Sequence, residues 1–252
     1  MSLVIDSKNK KMFFHIPKNA GSTVSNMFMR GYQDLNLQLG IPEHLKVLYD
    51  PATRIGLGDL CCRASEAGHW RYADIRAVLG TWVDECRLYA IVRNPWDKVV
   101  SAYHYGMNTN GWLLLGLSKD ATFDQWLNRI HAFWRERPIE LLVYGQHTYV
   151  VDNNGNVPPN MKLLRFENLR ADVNAMHEEW GTPDTYRLPE KGGPHVNKAI
   201  RKPYAEYYTD ATRNLVGQLF ATDVRMFGYS YDDYLKQPAS DKGLMLKEER
   251  DA

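Results

Sequence analysis

The sequence predicts an α/β fold with a central, mostly parallel sheet flanked by helices. Two strand–loop–helix units carry the prediction, and a third strand–helix pair extends it. The run Lys11-Met12-Phe13-Phe14-His15-Ile16 reads as a short buried strand. It passes through Pro17-Lys18-Asn19-Ala20-Gly21, which is turn chemistry, into a helix over 22–30. Arg87-Leu88-Tyr89-Ala90-Ile91-Val92 is a continuous apolar strand, broken by Arg93-Asn94-Pro95 and followed by a helix over 96–105. Met161 to Phe166 is a further strand, followed by a helix from Glu167 to Trp180. Strands that alternate with helices in this way pair as a parallel sheet with crossover helices.

Each element has its own signal. In the first helix Val24, Met27 and Phe28 share one face. The stretch 35–68 is irregular and receives no assignment. Trp70 to Leu79 reads as helical. In the helix after Pro95, Val99, Val100 and Tyr103 fall at helical spacing. Thr122 supplies an N-cap to an amphipathic helix reaching Trp134, with Phe123, Trp126, Leu127 and Ile130 apolar. Val150 to Val157 reads as a hairpin turn around Asn154-Gly155. Tyr204 to Phe220 reads as helical, interrupted near Thr209-Asp210. No Pro/Ser/Gly linker divides the chain, so a single domain over 1–236 is expected, with a polar, frayed tail over 237–252.

Composition narrows the function classes. The 252 residues carry 31 Lys plus Arg against 30 Asp plus Glu, a formal net charge of +1. That balance argues against a bulk basic surface for nucleic acid or anionic lipid, while leaving room for a local cationic pocket. No apolar run approaches the ~20 residues of a membrane span. The segment Met1 to Asp6 lacks the basic and apolar regions of a signal peptide. Three cysteines, Cys61, Cys62 and Cys86, make a poor disulfide framework and point to a reducing cytoplasm. Ligand spacing of the zinc type is absent, and no metal is expected.

Two turns have the chemistry to hold anions. In the first, small residues at Ala20 and Gly21 let backbone N–H groups approach a ligand, and the helix that follows offers unpaired N–H donors at its positive end. Lys18 adds a full charge, and Ser22 and Thr23 add hydroxyls. An ordinary βα turn with a Ser N-cap accounts for the same residues equally well. The order GxxxxGK[ST] is missing, because the lysine precedes the small residues, and Asp84 and Glu85 lie before the second strand instead of at its end. This weakens a Mg²⁺-dependent phosphoryl-transfer reading. In the second turn Arg93 stands where a strand ends, the place where open α/β sheets bind ligands, and Ser101 follows two helical turns later. An Arg with a hydroxyl clamps a phosphate by charge-assisted hydrogen bonds. A surface Arg with a structural Ser is the competing account.

Taken together the two turns resemble a known pair. His15-Ile16-Pro17-Lys18-Asn19-Ala20-Gly21-Ser22-Thr23 resembles the 5′-phosphosulfate loop of sulfotransferases, and Ile91 to Tyr103 resembles their 3′-phosphate motif. Leu163 to Leu169, and Tyr207-Tyr208 through Asp223 to Tyr229, match in order, so the resemblance spans roughly residues 11 to 235. The style is that of the carbohydrate sulfotransferases, which include heparan 2-O and chondroitin enzymes and bacterial relatives. The resemblance implies a P-loop-like sulfotransferase fold. It implies 3′-phosphoadenosine 5′-phosphosulfate (PAPS) as donor and the 3′,5′-diphosphate (PAP) as product, with a hydroxyl acceptor, a glycan or small molecule. Lys18 would be catalytic, and Lys18, Asn19, Ala20, Gly21, Ser22 and Thr23 would hold the 5′ end, with Arg93 and Ser101 on the 3′-phosphate.

A histidine in the region of Ala67-Gly68-His69-Trp70 is similar to the family's general base, a task that suits imidazole. His195 is the second candidate, and His15 is expected to be structural. Leu188 to Arg201 resembles the family's His-x-Asn segment near the nucleotide, which adds Asn197 and Arg201; a solvated basic loop reads these residues as well. Gln146 sits in a family-like position without an assigned role. Trp70, Trp82, Trp112 and Tyr105 are candidates for stacking on sugar rings or for the core. Animal Golgi members carry a membrane anchor and luminal disulfides; this chain shows neither, and a microbial or viral cytoplasmic enzyme is expected. The alternatives are a nucleotide-dependent phosphoryl transferase, marked by Mg²⁺-dependent ATP turnover, and a non-catalytic module that binds an adenine nucleotide.

Overall fold

A computed structural model describes residues 3–6, 9–24, 27, 69–136, 145–182, 187–188 and 202–236. The stretch 35–68 with Cys61 and Cys62, the loop positions His195, Asn197 and Arg201, and the tail 237–252 lie outside the described residues. Contacts within the chain gather into two compact units: Met1–Val92 with Gln146–Val196, and Arg93–Gly145 with Asn197–Ala252. Among the described residues no helix is long and apolar enough to cross a membrane.

The first unit is built on a four-stranded sheet in the order β1 (Leu3–Asp6), β2 (Lys11–Phe14), β3 (Arg87–Val92), β4 (Met161–Arg165). β1 pairs antiparallel with β2, whereas β2, β3 and β4 run parallel. β2 and β3 are apolar and buried on both sides, as expected of strands covered on both faces, whereas β4 at the edge exposes Lys162. In register, Phe13 stands beside Tyr89 and Ile91 beside Leu164. These four pack on one face with Val24 and with Val173, Met176 and Trp180 of the helix Leu169–Trp180. Burial of each large side chain contributes roughly 1.5–3 kcal/mol. On the opposite face Phe14 meets Tyr72, the first residue of α1 (Tyr72–Leu79), with ring centroids 6.4 Å apart. The expected parallel α/β architecture is therefore present, with helices on both sides of the sheet.

Three local details differ from the sequence reading. β1 gave no periodic signal, since four residues are too few to show one. β2 ends at Phe14, and His15 and Ile16 already belong to the turn. Around Asn154-Gly155 the chain turns without flanking strands among the described residues. The turn itself is closed by the backbone bond from the Asp152 N–H to the Asn156 carbonyl at 2.8 Å, and the Asp152 carboxylate adds bonds from the N–H groups of Asn154 and Asn156, both at 2.9 Å.

The second unit is helical. α2 (Pro95–Asn108) starts with Asn94 as N-cap, whose side chain accepts from the Trp96 N–H at 3.1 Å, and Pro95 occupies the first turn, where a missing N–H costs nothing. It packs with α3 (Phe123–Glu136) and α5 (Asp210–Leu219), α4 being Leu169–Trp180 of the first unit. Trp96, Val100, Trp126, Leu127, Val216 and Phe220 are central to this core. The interruption expected near Thr209 is a change of helix: Tyr204–Tyr207 is a 3₁₀ turn, and Thr209 caps α5 in a capping box with Thr212.

Candidate active site

The turn after β2 is built around Asn19. Lys18 and Ala20, on either side of it, have φ of 67° and 61°, the left-handed region that non-glycine residues enter at a cost of about 1–2 kcal/mol each. Residues 21–24 then turn helical, with the Thr23 N–H bonded to the Ala20 carbonyl at 3.0 Å. The N–H groups of Gly21 and Ser22 open this helical stretch and have no acceptor among the described residues. Lys18 is half-buried and Ser22 is exposed. This arrangement suits an anion: two donors at a helix start, a hydroxyl, and an ammonium group on the same short turn.

Asn19 itself is fully buried. Its Nδ2 donates to the Ile91 carbonyl at 2.7 Å and to Gln146 Oε1 at 2.6 Å. The side chain named with the donor-binding residues is thus engaged inside the protein, against β3 and Gln146. Thr23 is also buried, and of the named hydroxyls only Ser22 is exposed.

Gly21 has a different reason than backbone freedom. A Cβ at this position would lie 1.8 Å from Cδ2 of His15 and 2.4 Å from its Cγ. The glycine is there because an imidazole lies against its Cα. His15 is buried, as a strand-end histidine was expected to be. His69 in turn packs edge-on against the His15 ring, with centroids 4.6 Å apart, and its Nδ1 lies 2.8 Å from the His15 carbonyl oxygen. A carbonyl only accepts, so Nδ1 carries the proton and Nε2 is the basic nitrogen of the neutral ring. Gly21 and His69 both lie against His15 in the first unit, which also holds Lys18 and Asn19 on the same turn as Gly21.

Arg93 and Ser101 belong to the second unit. Arg93 is buried and donates from Nε and from a terminal nitrogen to one oxygen of Asp97, both at 2.7 Å. Asp97 and Ser101 lie four residues apart on α2 and share one of its faces, while Arg93, just before the N-cap, meets that face through its pair with Asp97. Next to them Lys98 is buried with its ammonium 5.6 Å over the Phe220 ring. Its pKa is lowered to about 8, chiefly by burial, with the Asp223 carboxylate opposing the shift and Arg93 adding to it. Sequence reasoning gave Lys98 and Asp223 no part, although each lies in a quoted motif; a lysine within the first turn of an apolar helix was the available signal. Asn94 Nδ2 donates to the Ser230 carbonyl at 2.8 Å and ties the start of α2 to the C-terminal stretch of the same unit.

Of the aromatic candidates, Trp70 and Trp82 are half-buried and Tyr105 is exposed. Trp112 is half-buried, and its indole N–H has no partner among the described residues.

No curated protein and no solved structure matches this chain. A family match does extend over residues 1–230, which takes in the turns after β2 and β3, the His15–His69 pair, and Arg93 and Ser101. On that match over nearly all of its length, the chain belongs to the sulfotransferase family.

Proposed function

We propose that the protein moves a sulfuryl group from PAPS to a hydroxyl of a carbohydrate or other glycan. The observation that supports this most is the seating of His69: it rests on His15, whose ring rests on Gly21, so the candidate base is one ring away from the anion turn. When bound, PAPS supplies an activated sulfuryl group. His69 Nε2 takes the acceptor proton as the acceptor oxygen bonds to sulfur. Lys18 and the N–H groups of Gly21 and Ser22 meet the charge that builds on the departing phosphate oxygen as the old S–O bond breaks. PAP is the product. Arg93 and Ser101 read the 3′-phosphate, with Asn197 and Arg201 as further nucleotide contacts.

The test is a panel of saccharides and small hydroxyl compounds incubated with labelled PAPS, each read for the mass gain of one sulfate. His69→Ala is expected to slow transfer by ~10²–10⁴-fold with PAP affinity nearly intact. Loss of transfer in His195→Ala with none in His69→Ala moves the base to the other histidine. Failure of the wild-type protein to bind PAP refutes the reading.

A further inference from the structure

We infer that Gln146 is a positioning residue for the Lys18 turn, acting through the carboxamide of Asn19. This rests on the reading of that turn as the cradle of the donor's 5′ end. Gln146 and Asn19 are both fully buried and stand 127 residues apart in sequence, yet Oε1 of the one accepts from Nδ2 of the other. The orientation of the Asn19 amide is fixed by chemistry. The Ile91 carbonyl only accepts, so Nδ2 must face β3, and the second amide hydrogen must then find an oxygen. Gln146 supplies it. Asn19 Oδ1 has no partner among the described residues, so the donor side carries the side chain's anchoring.

What is anchored is strained. Asn19 lies between Lys18 and Ala20, both left-handed and neither a glycine. Backbone of this kind persists where the surroundings over-determine it. One anchor is the end of the sheet at Ile91; the other is Gln146, which opens the helical turn His147–Val150 by accepting from the Tyr149 N–H at 3.1 Å. That turn packs against α1, which begins three residues after His69 and its bond to the His15 carbonyl. Two packed helical elements thus grip one loop at two points. Gln146 sets the Lys18 side and His69 the His15 side, which fixes the lysine relative to the candidate base.

The experiment compares Gln146→Met, which keeps length and loses the acceptor, with Gln146→Glu, which keeps an oxygen acceptor whether ionised or protonated. Calorimetry with PAP, adenosine 3′-monophosphate and adenosine 5′-monophosphate separates the affinity gained from each phosphate without needing the acceptor substrate. Amide hydrogen exchange of residues 16–24 follows the loop itself. In Gln146→Met the gain from the 5′-phosphate is expected to fall about tenfold or more, the order lost when a buried hydrogen-bond partner is removed. The gain from the 3′-phosphate should stay within about twofold, and exchange in the loop should rise while distant helices keep theirs. Gln146→Glu should recover part of the 5′ gain.

Unchanged loop exchange in Gln146→Met overturns the inference. So does an equal loss of both phosphate increments, which marks a merely structural residue. If wild-type protein binds no PAP, the proposed function fails and loop exchange alone still decides the role of Gln146. Should Gln146→Met not fold, Gln146→Asn, which withdraws the oxygen by one methylene, is read in the same way.

Discussion

Gly21→Ala is a one-carbon change whose consequence follows from the packing. The added Cβ would overlap Cδ2 and Cγ of His15 at 1.8 and 2.4 Å. Cγ is fixed by the first side-chain torsion, so no small shift of a flexible tip relieves the clash; the ring must leave its rotamer or the turn must move. Overpacking of this kind costs typically about 1–3 kcal/mol. For a domain of this size that corresponds to a melting temperature lower by roughly 2–10 °C. The effect on chemistry should be larger than the effect on stability, because His69 rests edge-on against the ring that is displaced. Turnover should fall toward the ~10²–10⁴-fold expected when a base is mispositioned. Thermal unfolding and sulfate transfer, measured on the same preparation, read both. The second variant, His15→Ala in the Gly21→Ala background, removes the ring and makes room for the methyl. It keeps the backbone carbonyl to which His69 Nδ1 donates, so melting temperature should recover part of the loss. A Gly21→Ala protein with wild-type melting temperature and turnover would refute the packing argument, and with it the chain of contacts from the turn to His69.

The sheet was legible because its signals are local. The strand signals at 11–16, 87–92 and 161–166 each lead into a turn or helix-start pattern, and both neighbours of β3 pair parallel to it as alternation with helices predicts. The change of helix at Thr209 was legible for the same reason, since a capping residue announces itself in two or three positions. The site was legible as motifs and not as contacts. Nothing in the residue types at Lys18 and Ala20 announces a left-handed backbone, because glycine and asparagine are the residues that favour it. The need for glycine at 21 reads from sequence as conformational freedom or close approach to a ligand, whereas a histidine six residues earlier imposes it. Asn19 reads as a polar loop residue facing a ligand, yet its two amide hydrogens go to β3 and to Gln146. Such pairings depend on sequence separations of 72 and 127 residues, which periodicity does not reach. The buried Lys98–Asp223 neighbourhood escaped for a related reason: a lysine directly after Asp97, in the first turn of a helix, reads as solvated until burial is known.

Three further predictions follow from the geometry. Lys18→Ala should lower turnover at saturating donor more than it lowers donor affinity, because in the proposed reaction the ammonium meets charge that develops during transfer. Alanine has a Cβ as lysine does, so the left-handed strain at this position is unchanged and the variant isolates the charge; near-normal turnover would remove Lys18 from the chemistry. Arg93→Ala should weaken PAP binding by about 2–4 kcal/mol, leaving the Asp97 carboxylate without its partner near the incoming phosphate, and should leave the 5′-monophosphate little affected; equal losses for both would show that Arg93 does not read the 3′ end. Lys98 makes stability depend on pH. Its folded value of about 8 lies below the ordinary 10.5, so between these limits the unfolded chain binds the extra proton and stability rises with pH. From pH 7 to 9 the gain is on the order of 1 kcal/mol, and it is absent below pH 7, where the buried ammonium is charged in both states. Other groups oppose it: the Cys86 thiol and the Tyr89 and Tyr204 phenols are raised by burial, so they favour the unfolded chain once its own thiols and phenols ionise. Subtracting the stability of Lys98→Met at each pH cancels these shared contributions. The difference between the two proteins should grow in favour of the wild type by that amount from pH 7 to 9, and a difference that stays flat would mean that Lys98 keeps its ordinary proton affinity beside Asp223.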